Sequence, residues 1–358
     1  MRIAILGYGT VGKGVYDIIT ENNISYIEVA KILRRYGSKL ELPIMTNDFN
    51  DILKDDTIDT VVECIGGLEP ARTYVVEAMK RGKNVVSSNK LLLANCYDEL
   101  VTLSHEKNVY LLFEASVGGG IPIIENLSRI GYVDEITAFR GIINATINYI
   151  LYRMTNEGID FDEALEEAKK RGYAEQNPSS DIDGDDVLYK TIVAANVASK
   201  KSYLIDNAMK FGVRHITKED IDFFKAHDLV CKLIAEYNSV NNYILVMPQL
   251  FDKYEAIANV IYNNNYIEVF CKTEGKLAFE GQGAGRYPTA HSVVQDLVRI
   301  YQGAKKPILT TEKVDISYKN LGGRFYVKRK GEKGAFVDNM NAEDLKSSDI
   351  LFVAKVNN

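Results

Sequence analysis

Near its start the chain runs Arg2-Ile3-Ala4-Ile5-Leu6 and then Gly7-Tyr8-Gly9-Thr10-Val11-Gly12. Val15, Ile18 and Ile19 follow at helical spacing. A short apolar strand, a G-x-G-x-x-G turn and a helix in that order form a dinucleotide fingerprint. Gly7 permits the tight turn, Gly9 lets backbone approach a pyrophosphate, and Gly12 allows helix to lie close on strand. The free N–H groups of the helix start then receive phosphate oxygens. Gly7, Gly9, Thr10, Val11 and Gly12 are therefore the expected cofactor contacts. The fold class that follows is α/β, built on a Rossmann-type doubly wound parallel sheet.

The βα rhythm continues to about residue 125. Strands are expected at 26–33, 59–65, 84–87 and 109–113, each closed by turn chemistry and most by a helix. An NAD site has Asp or Glu about 20 residues after the glycines, to bond the ribose hydroxyls. Here Leu33-Arg34-Arg35 takes that place, with Lys39 nearby. Two guanidinium groups suit a 2′-phosphate, so NADP is preferred over NAD. Ligands of such sheets lie beyond the carboxyl ends of the strands, which places Lys90, after Val85-Val86-Ser87-Ser88-Asn89, near the nicotinamide or the substrate. Gly118-Gly119-Gly120 marks a sharp backbone passage and a hinge to a second domain.

Beyond it the pattern becomes mixed α+β. A strand is expected at 136–143, with helices at 146–155, 160–171 and 226–237 and a strand at 243–247. The helix at 160–171 carries Glu166–Lys170 and Glu167–Arg171, read as ion pairs on a solvated face. Tyr173 to Lys190 is a loop and helix start holding Glu175, Asp181, Asp183, Asp185 and Asp186, with Pro178-Ser179-Ser180 stopping the preceding helix. Asp181, Asp183 and Asp185 have calcium-loop spacing, but Asp186 stands where that loop needs Gly and Ile192 where it needs Glu. Asp186 and Lys190 are four apart and share a helix face. Such a pair suits a solvated surface, and it also suits a pocket that holds an amino acid. Gly281 to His291 is a second glycine-rich segment leading into a helix, with Val293, Val294, Leu297 and Ile300 as its packed face. His291, on the first turn, reads as structural rather than acid–base. The expected domains are 1–125 with about 281–312 returning, 126–280, and a short extension at 313–358.

Composition closes several alternatives. A net charge of −6, without a basic run bearing interleaved aromatics, argues against nucleic acid as a partner. No apolar run approaches a membrane span, and no leader is expected, since only four apolar residues separate Arg2 from Gly7. Cys64, Cys96, Cys231 and Cys271 have neither metal nor redox spacing, which fits reduced thiols in the cytoplasm.

From Met1 to about Tyr301 the chain resembles the homoserine dehydrogenase family. The likeness lies in the fingerprint, Val61 to Gly67, Val85 to Lys90, Glu114 to Ile123, Gly141 to Tyr149, Tyr173 to Lys190 and Gly283 to Ala290. The resemblance implies reversible NAD(P)-dependent interconversion of L-homoserine and L-aspartate 4-semialdehyde, in threonine, methionine and isoleucine biosynthesis. It implies a substrate-binding and dimerisation domain, a homodimer, and a substrate site at Glu175, Asp181 and Asp186, with Tyr173 and Thr146 beside it. Lys190 and Lys90 fall at the reacting end, Lys190 as acid–base. Gly66 and Gly285 become cofactor contacts. Backbone at Glu114, Val117, Gly119 and Ile121 matches a monovalent-cation site, such as one for Na+.

The chemistry agrees with those positions. Homoserine carries an ammonium group, for which a carboxylate cluster is the natural receiver. Oxidation of its hydroxyl requires a base as the hydride leaves. Ala145 stands where the family has glycine, and Gln176-Asn177 replaces Pro-Asp. Residues 313–358 are too few for a complete regulatory ACT module, so threonine feedback through one is not expected. Two alternatives remain at this level: another NADP-dependent semialdehyde or amino-acid dehydrogenase on the same scaffold, and a non-enzymatic NADP-sensing regulator.

Overall fold

The computed structural model describes residues 1–357. The chain divides into two compact units, the first made of 1–129, 196–202 and 284–313, the second of 130–195, 203–283 and 314–358. Among the described residues no helix is long and apolar enough to cross a membrane.

The first unit begins with β1 (Arg2–Leu6), α1 (Thr10–Glu21), β2 (Glu28–Leu33), β3 (Met45–Thr46), α2 (Asn50–Leu53) and β4 (Thr60–Glu63). It continues through α3 (Ala71–Lys80), β5 (Asn84–Ser87), α4 (Lys90–Glu106), β6 (Leu111–Leu112) and α5 (Ile123–Ile130). The six strands are parallel in the order β3-β2-β1-β4-β5-β6. Side-chain alternation along β1 explains why helices cover both faces. Ile3 and Ile5 enter one core with Val15 and Ile19 of α1, whereas Ala4 and Leu6 enter another with Ile52, Val61 and Ala78. Burying each of the Ile, Leu and Val side chains among them stabilises the fold by about 1.5–3 kcal/mol.

The second unit is built on a nine-stranded mixed sheet. Its elements are β7 (Ile136–Ile142), α6 (Ala145–Glu157), α7 (Phe161–Lys170), α8 (Ser179–Ile182), α9 (Asp185–Ser199), β8 (Met209–Lys210) and α10 (Lys218–Ala226). Next come β9 (Leu229–Asn238), β10 (Tyr243–Asp252), β11 (Asn264–Cys271) and β12 (Gly275–Gln282). α11 (Arg286–Tyr301) returns to the first unit, adding Val293 and Leu297 to the α1 core. The last strands, β13 (Gly322–Arg329), β14 (Ala335–Asn341) and β15 (Ile350–Val356), rejoin the second sheet, whose order is β12-β11-β7-β9-β10-β15-β13-β14 with β8 beside β10.

Three local readings are corrected. The segment 226–237 is not a helix: α10 ends at Ala226, and β9 pairs along its length with β10 and at its end with β7. Its residues Cys231 to Ala235 are all buried, Lys232 included, so the stretch lacks the in–out alternation that separates a strand from a helix. The helix before the acidic loop is stopped by Gly172, not by Pro178. Gly172 sits at φ 75°, and the N–H groups of Gly172 and Tyr173 donate to the carbonyls of Lys169 and Ala168, a Schellman end. Ser179–Ile182 then forms one helical turn. The ion pairs of α7 also differ. Glu166 meets Lys169 at 2.7 Å, and Glu167 turns inward to Arg153 of α6 at 2.5 Å, leaving Arg171 over the Tyr149 ring.

Candidate active site

In the first unit the three glycines divide the work as their spacing implies. Gly7 has φ 97°, and a Cβ there would lie 2.8 Å from the Cys64 carbonyl. A Cβ on Gly12 would lie 2.0 Å from the Gly7 carbonyl and 3.2 Å from Ile5 Cγ2. At Gly9 a Cβ would meet nothing within 4 Å, so this backbone is open to a ligand. Gly9 also caps α1 without a side-chain bond, which leaves the first N–H groups, from Thr10 onward, without a capping side chain.

A cavity of about 660 Å³ opens here, lined by Gly7, Gly9, Arg34, Arg35, Cys64 and Gly66 among others. Asn47 Nδ2 donates to the carbonyls of Arg34 and Arg35, at 3.4 and 2.9 Å, fixing the segment after β2. The Arg34 guanidinium lies 5.7 Å from the Tyr8 ring centre. Cys64 is a wall residue whose burial pushes its thiol well above the ordinary range.

Glu63, fully buried at the end of β4, was not singled out by sequence reasoning. Its carboxylate accepts from the N–H groups of Ile65 and Gly66 at 2.8 and 3.1 Å, from Ser87 Oγ at 2.7 Å and from Asn89 Nδ2 at 3.4 Å. Burial pushes the carboxyl upward, and these four donors oppose the shift. Asn89 in turn caps α4 through Leu92 N–H at 3.1 Å, which sets Lys90 as the first residue of that helix. The signal available in the sequence was an acidic residue ending an apolar strand. Gly285, at φ 127°, caps α11 without a side-chain bond.

The carbonyls of Glu114, Gly119 and Ile121 accept from Val117 N–H, Ser292 Oγ and Ile123 N–H at 3.4, 2.7 and 2.8 Å. Gly118 and Gly119 are left-handed, at φ 77° and 63°. A carbonyl keeps a second lone pair, so these hard oxygen donors, with that of Val117, fit the chemistry of a monovalent cation. The Glu114 side chain is committed elsewhere. It accepts from the N–H groups of Ile124 and Glu125 at 2.8 and 2.7 Å, and burial raises its carboxyl above the ordinary range.

The second unit holds a tighter cluster. Asn144 is the N-cap of α6, where its Oδ1 accepts from Ile147 N–H at 2.8 Å. Its Nδ2 donates to Asp181 Oδ1 at 2.7 Å and to Asp186 Oδ2 at 2.8 Å. Lys190 Nζ donates to Asp186 Oδ2 at 2.6 Å and to the Ile143 carbonyl at 2.9 Å. Asp186 and Lys190 thus share the helix face expected of them. Their side chains are only 8% and 14% exposed, so this is not a solvated surface pair. Thr146 Oγ1 donates to the Tyr173 carbonyl at 2.6 Å, and the Tyr173 ring lies 5.1 Å from that of Tyr149.

The remaining loop carboxylates have other employment. Arg214 holds Asp183 through two bonds of 2.8 and 2.7 Å, which keeps that carboxyl below its ordinary range, and Lys210 pairs with Asp185. Glu175 is exposed and outside the hydrogen-bonded cluster. Asn144 was missed as a site residue; its asparagine-then-helix pattern marked a cap and nothing more.

A glycine-fingerprint sheet and a buried lysine–carboxylate cluster define the class, an NAD(P)-dependent oxidoreductase. Comparison with known proteins narrows it. Residues 7–114 match the model "Homoserine dehydrogenase, NAD binding domain", and 122–298 match "Homoserine dehydrogenase". A homoserine dehydrogenase of Lactococcus lactis is 37% identical over 321 residues, covering 85% of this chain and 75% of that protein. The crystal structure of a homoserine dehydrogenase from Thiobacillus denitrificans superposes with TM-score 0.86 at 32% identity, over 92% of this chain and 82% of that one. A hyperthermophilic archaeal homoserine dehydrogenase in complex with NADPH gives TM-score 0.73 at 25% identity, over 86% and 99%. The chain belongs to the homoserine dehydrogenase family. Neither a different dehydrogenase nor a dinucleotide sensor is favoured by these matches.

Proposed function

We propose that this chain interconverts L-homoserine and L-aspartate 4-semialdehyde, with Lys190 as the acid–base, and that NADP is its preferred cofactor over NAD. The observation that carries the assignment of roles is the Asn144–Asp186–Lys190 cluster with Asp181. A bound nicotinamide supplies the hydride acceptor or donor. Lys190 Nζ takes the hydroxyl proton during oxidation and returns it to the carbonyl oxygen during reduction. Asp186, fixed by Asn144, holds Nζ in place. Asp181 and Asp186 receive the substrate ammonium, with Glu175, Tyr173 and Thr146 completing its surroundings.

Lys90, at a strand's carboxyl end, polarises or relays near the nicotinamide. Gly7, Gly9, Thr10, Val11, Gly12, Gly66 and Gly285 contact the cofactor, and Arg34 and Arg35 take the 2′-phosphate. The carbonyls of Glu114, Val117, Gly119 and Ile121 hold a monovalent cation such as Na+. The enzyme acts as a homodimer in the cytoplasm, a compartment that its four free thiols suit.

The test follows NADPH formation from L-homoserine, then repeats it with Lys190→Ala. The expected result is a loss of roughly 100-fold or more in kcat with NADPH affinity unchanged. Near-normal turnover by the variant would remove Lys190 from the chemistry. Comparing NADP and NAD as oxidants, and NADP as an inhibitor of NAD turnover, decides the cofactor.

A further inference from the structure

We propose that the cavity of the second unit that Lys232 helps to line binds a small oxyanion, a carboxylate or phosphate group on a compact ligand. The proposal is independent of the catalytic assignment above.

Lys232 projects from β9 and is 2% exposed. Its Nζ donates to Asn148 Oδ1 at 2.9 Å and to the Val260 carbonyl at 2.7 Å. Both acceptors are neutral. Among the described residues no carboxylate pairs with this ammonium, which has three donors to place. A buried cation without a counter-charge is costly, and burial lowers this amine to about 8. In its charged form this amine has only neutral acceptors and calls for an anion.

Space for one exists. Lys232 lines a cavity of about 760 Å³, large enough for a ligand and not merely a water molecule. Lys225 and Lys253 also line it, against a single acidic lining residue, Asp228, which lies 2.7 Å from Lys253 Nζ. The lining is thus net positive, and both outer lysines are exposed where an anion would enter. Tyr152, Val230 and Ile261 give apolar walls for a short hydrocarbon portion.

This is a separate feature from the Lys190 cluster. Asn148 stands one helical turn beyond Asn144 on α6, and its Nδ2 goes to the carbonyls of Tyr262 and Asn264 at 2.9 and 3.3 Å.

The test is calorimetric titration of the full chain with sodium phosphate and with sodium butyrate, ionic strength held constant with sodium chloride. One-site binding of either, absent in the chloride control, is the expected result. Phosphate alone assigns a phosphate headgroup, butyrate alone a carboxylate with an apolar tail, and both the shared chemistry. Lys232→Met should weaken binding at least about tenfold, as loss of a charge-assisted bond does. Lys225→Ser and Lys253→Ser, which alter only exposed positions, should each weaken it about threefold and keep the test open if Lys232→Met does not fold. The proposal is overturned if neither anion binds, if Lys232→Met binds as tightly as the parent chain, or if both serine variants are unchanged.

Discussion

Asn144 concentrates the argument at the scale of single residues. One side chain caps α6 and bridges two carboxylates, 37 and 42 positions away. Removing it should act twice. Asn144→Ala loses a cap worth about 1 kcal/mol and the amide that bridges Asp181 and Asp186. Asn144→Ser restores a capping oxygen but lacks the two-hydrogen amide. We expect both variants to lose roughly 10- to 100-fold in kcat/KM for L-homoserine, while only the serine variant recovers its Tm. Full activity in Asn144→Ser would show that capping is all this residue does. The sequence made Asp186 and Lys190 legible because four residues is one helical turn. It could not show Asn144 or Glu63 as organisers, because their partners arrive through tertiary folding. Arg34 was legible by its place after β2. If Arg34 takes the 2′-phosphate as proposed, Arg34→Ala should reduce the NADP-to-NAD ratio of kcat/KM by about tenfold through loss of one charge-assisted contact. An unchanged ratio would leave the preference to Arg35 or to none.

At the scale of elements, the glycine turn joins folding and binding, and the two can be separated. Gly12 has no room for a methyl group, because Gly7 backbone and Ile5 of β1 already fill it. Gly9 has room, at an ordinary φ of −83°. Gly12→Ala should therefore destabilise the apo protein by about 1–3 kcal/mol through forced movement of α1 on β1. Gly9→Ala should leave apo stability nearly intact and weaken NADPH binding by at least about tenfold, because its Cβ points where the pyrophosphate must come. Thermal unfolding without ligand and NADPH titration by fluorescence read the two effects apart. Equal loss of stability in both variants would contradict this division. Five of the six parallel strands were recognisable because each is short, apolar and closed by a turn; β3, only two residues long, was not. Nor was β9, because Cys231 to Ala235 are buried on both faces of the sheet, which erases the alternation that identifies a strand.

For the whole molecule, the decisive pairing is that of the strands within 313–357, in the stretch 313–358 that the sequence presented as a short extension. Strand partners far apart in sequence leave no local mark, so nothing in the chain announced that β15 would lie parallel to β10. Yet β13 and β15 close one core with β10: Phe325, Val327 and Val353 lie against Tyr243, Leu245 and Met247. Phe325 is fully buried. Phe325→Ala should cost about 3–5 kcal/mol, and the loss should appear in the unfolding of the second unit as a whole. If these strands were an appendage folding alone, the same variant would lower a separate minor transition and leave the main one in place. Ending the chain at Lys313 would bare the β10 edge with Leu245 and Met247 on its surface, and the product should aggregate, as exposed apolar edges do. Size-exclusion chromatography of the shortened chain, beside calorimetry of Phe325→Ala, distinguishes a structural wall of the second unit from an independent module: a monodisperse, active product would show that the sheet is complete without it.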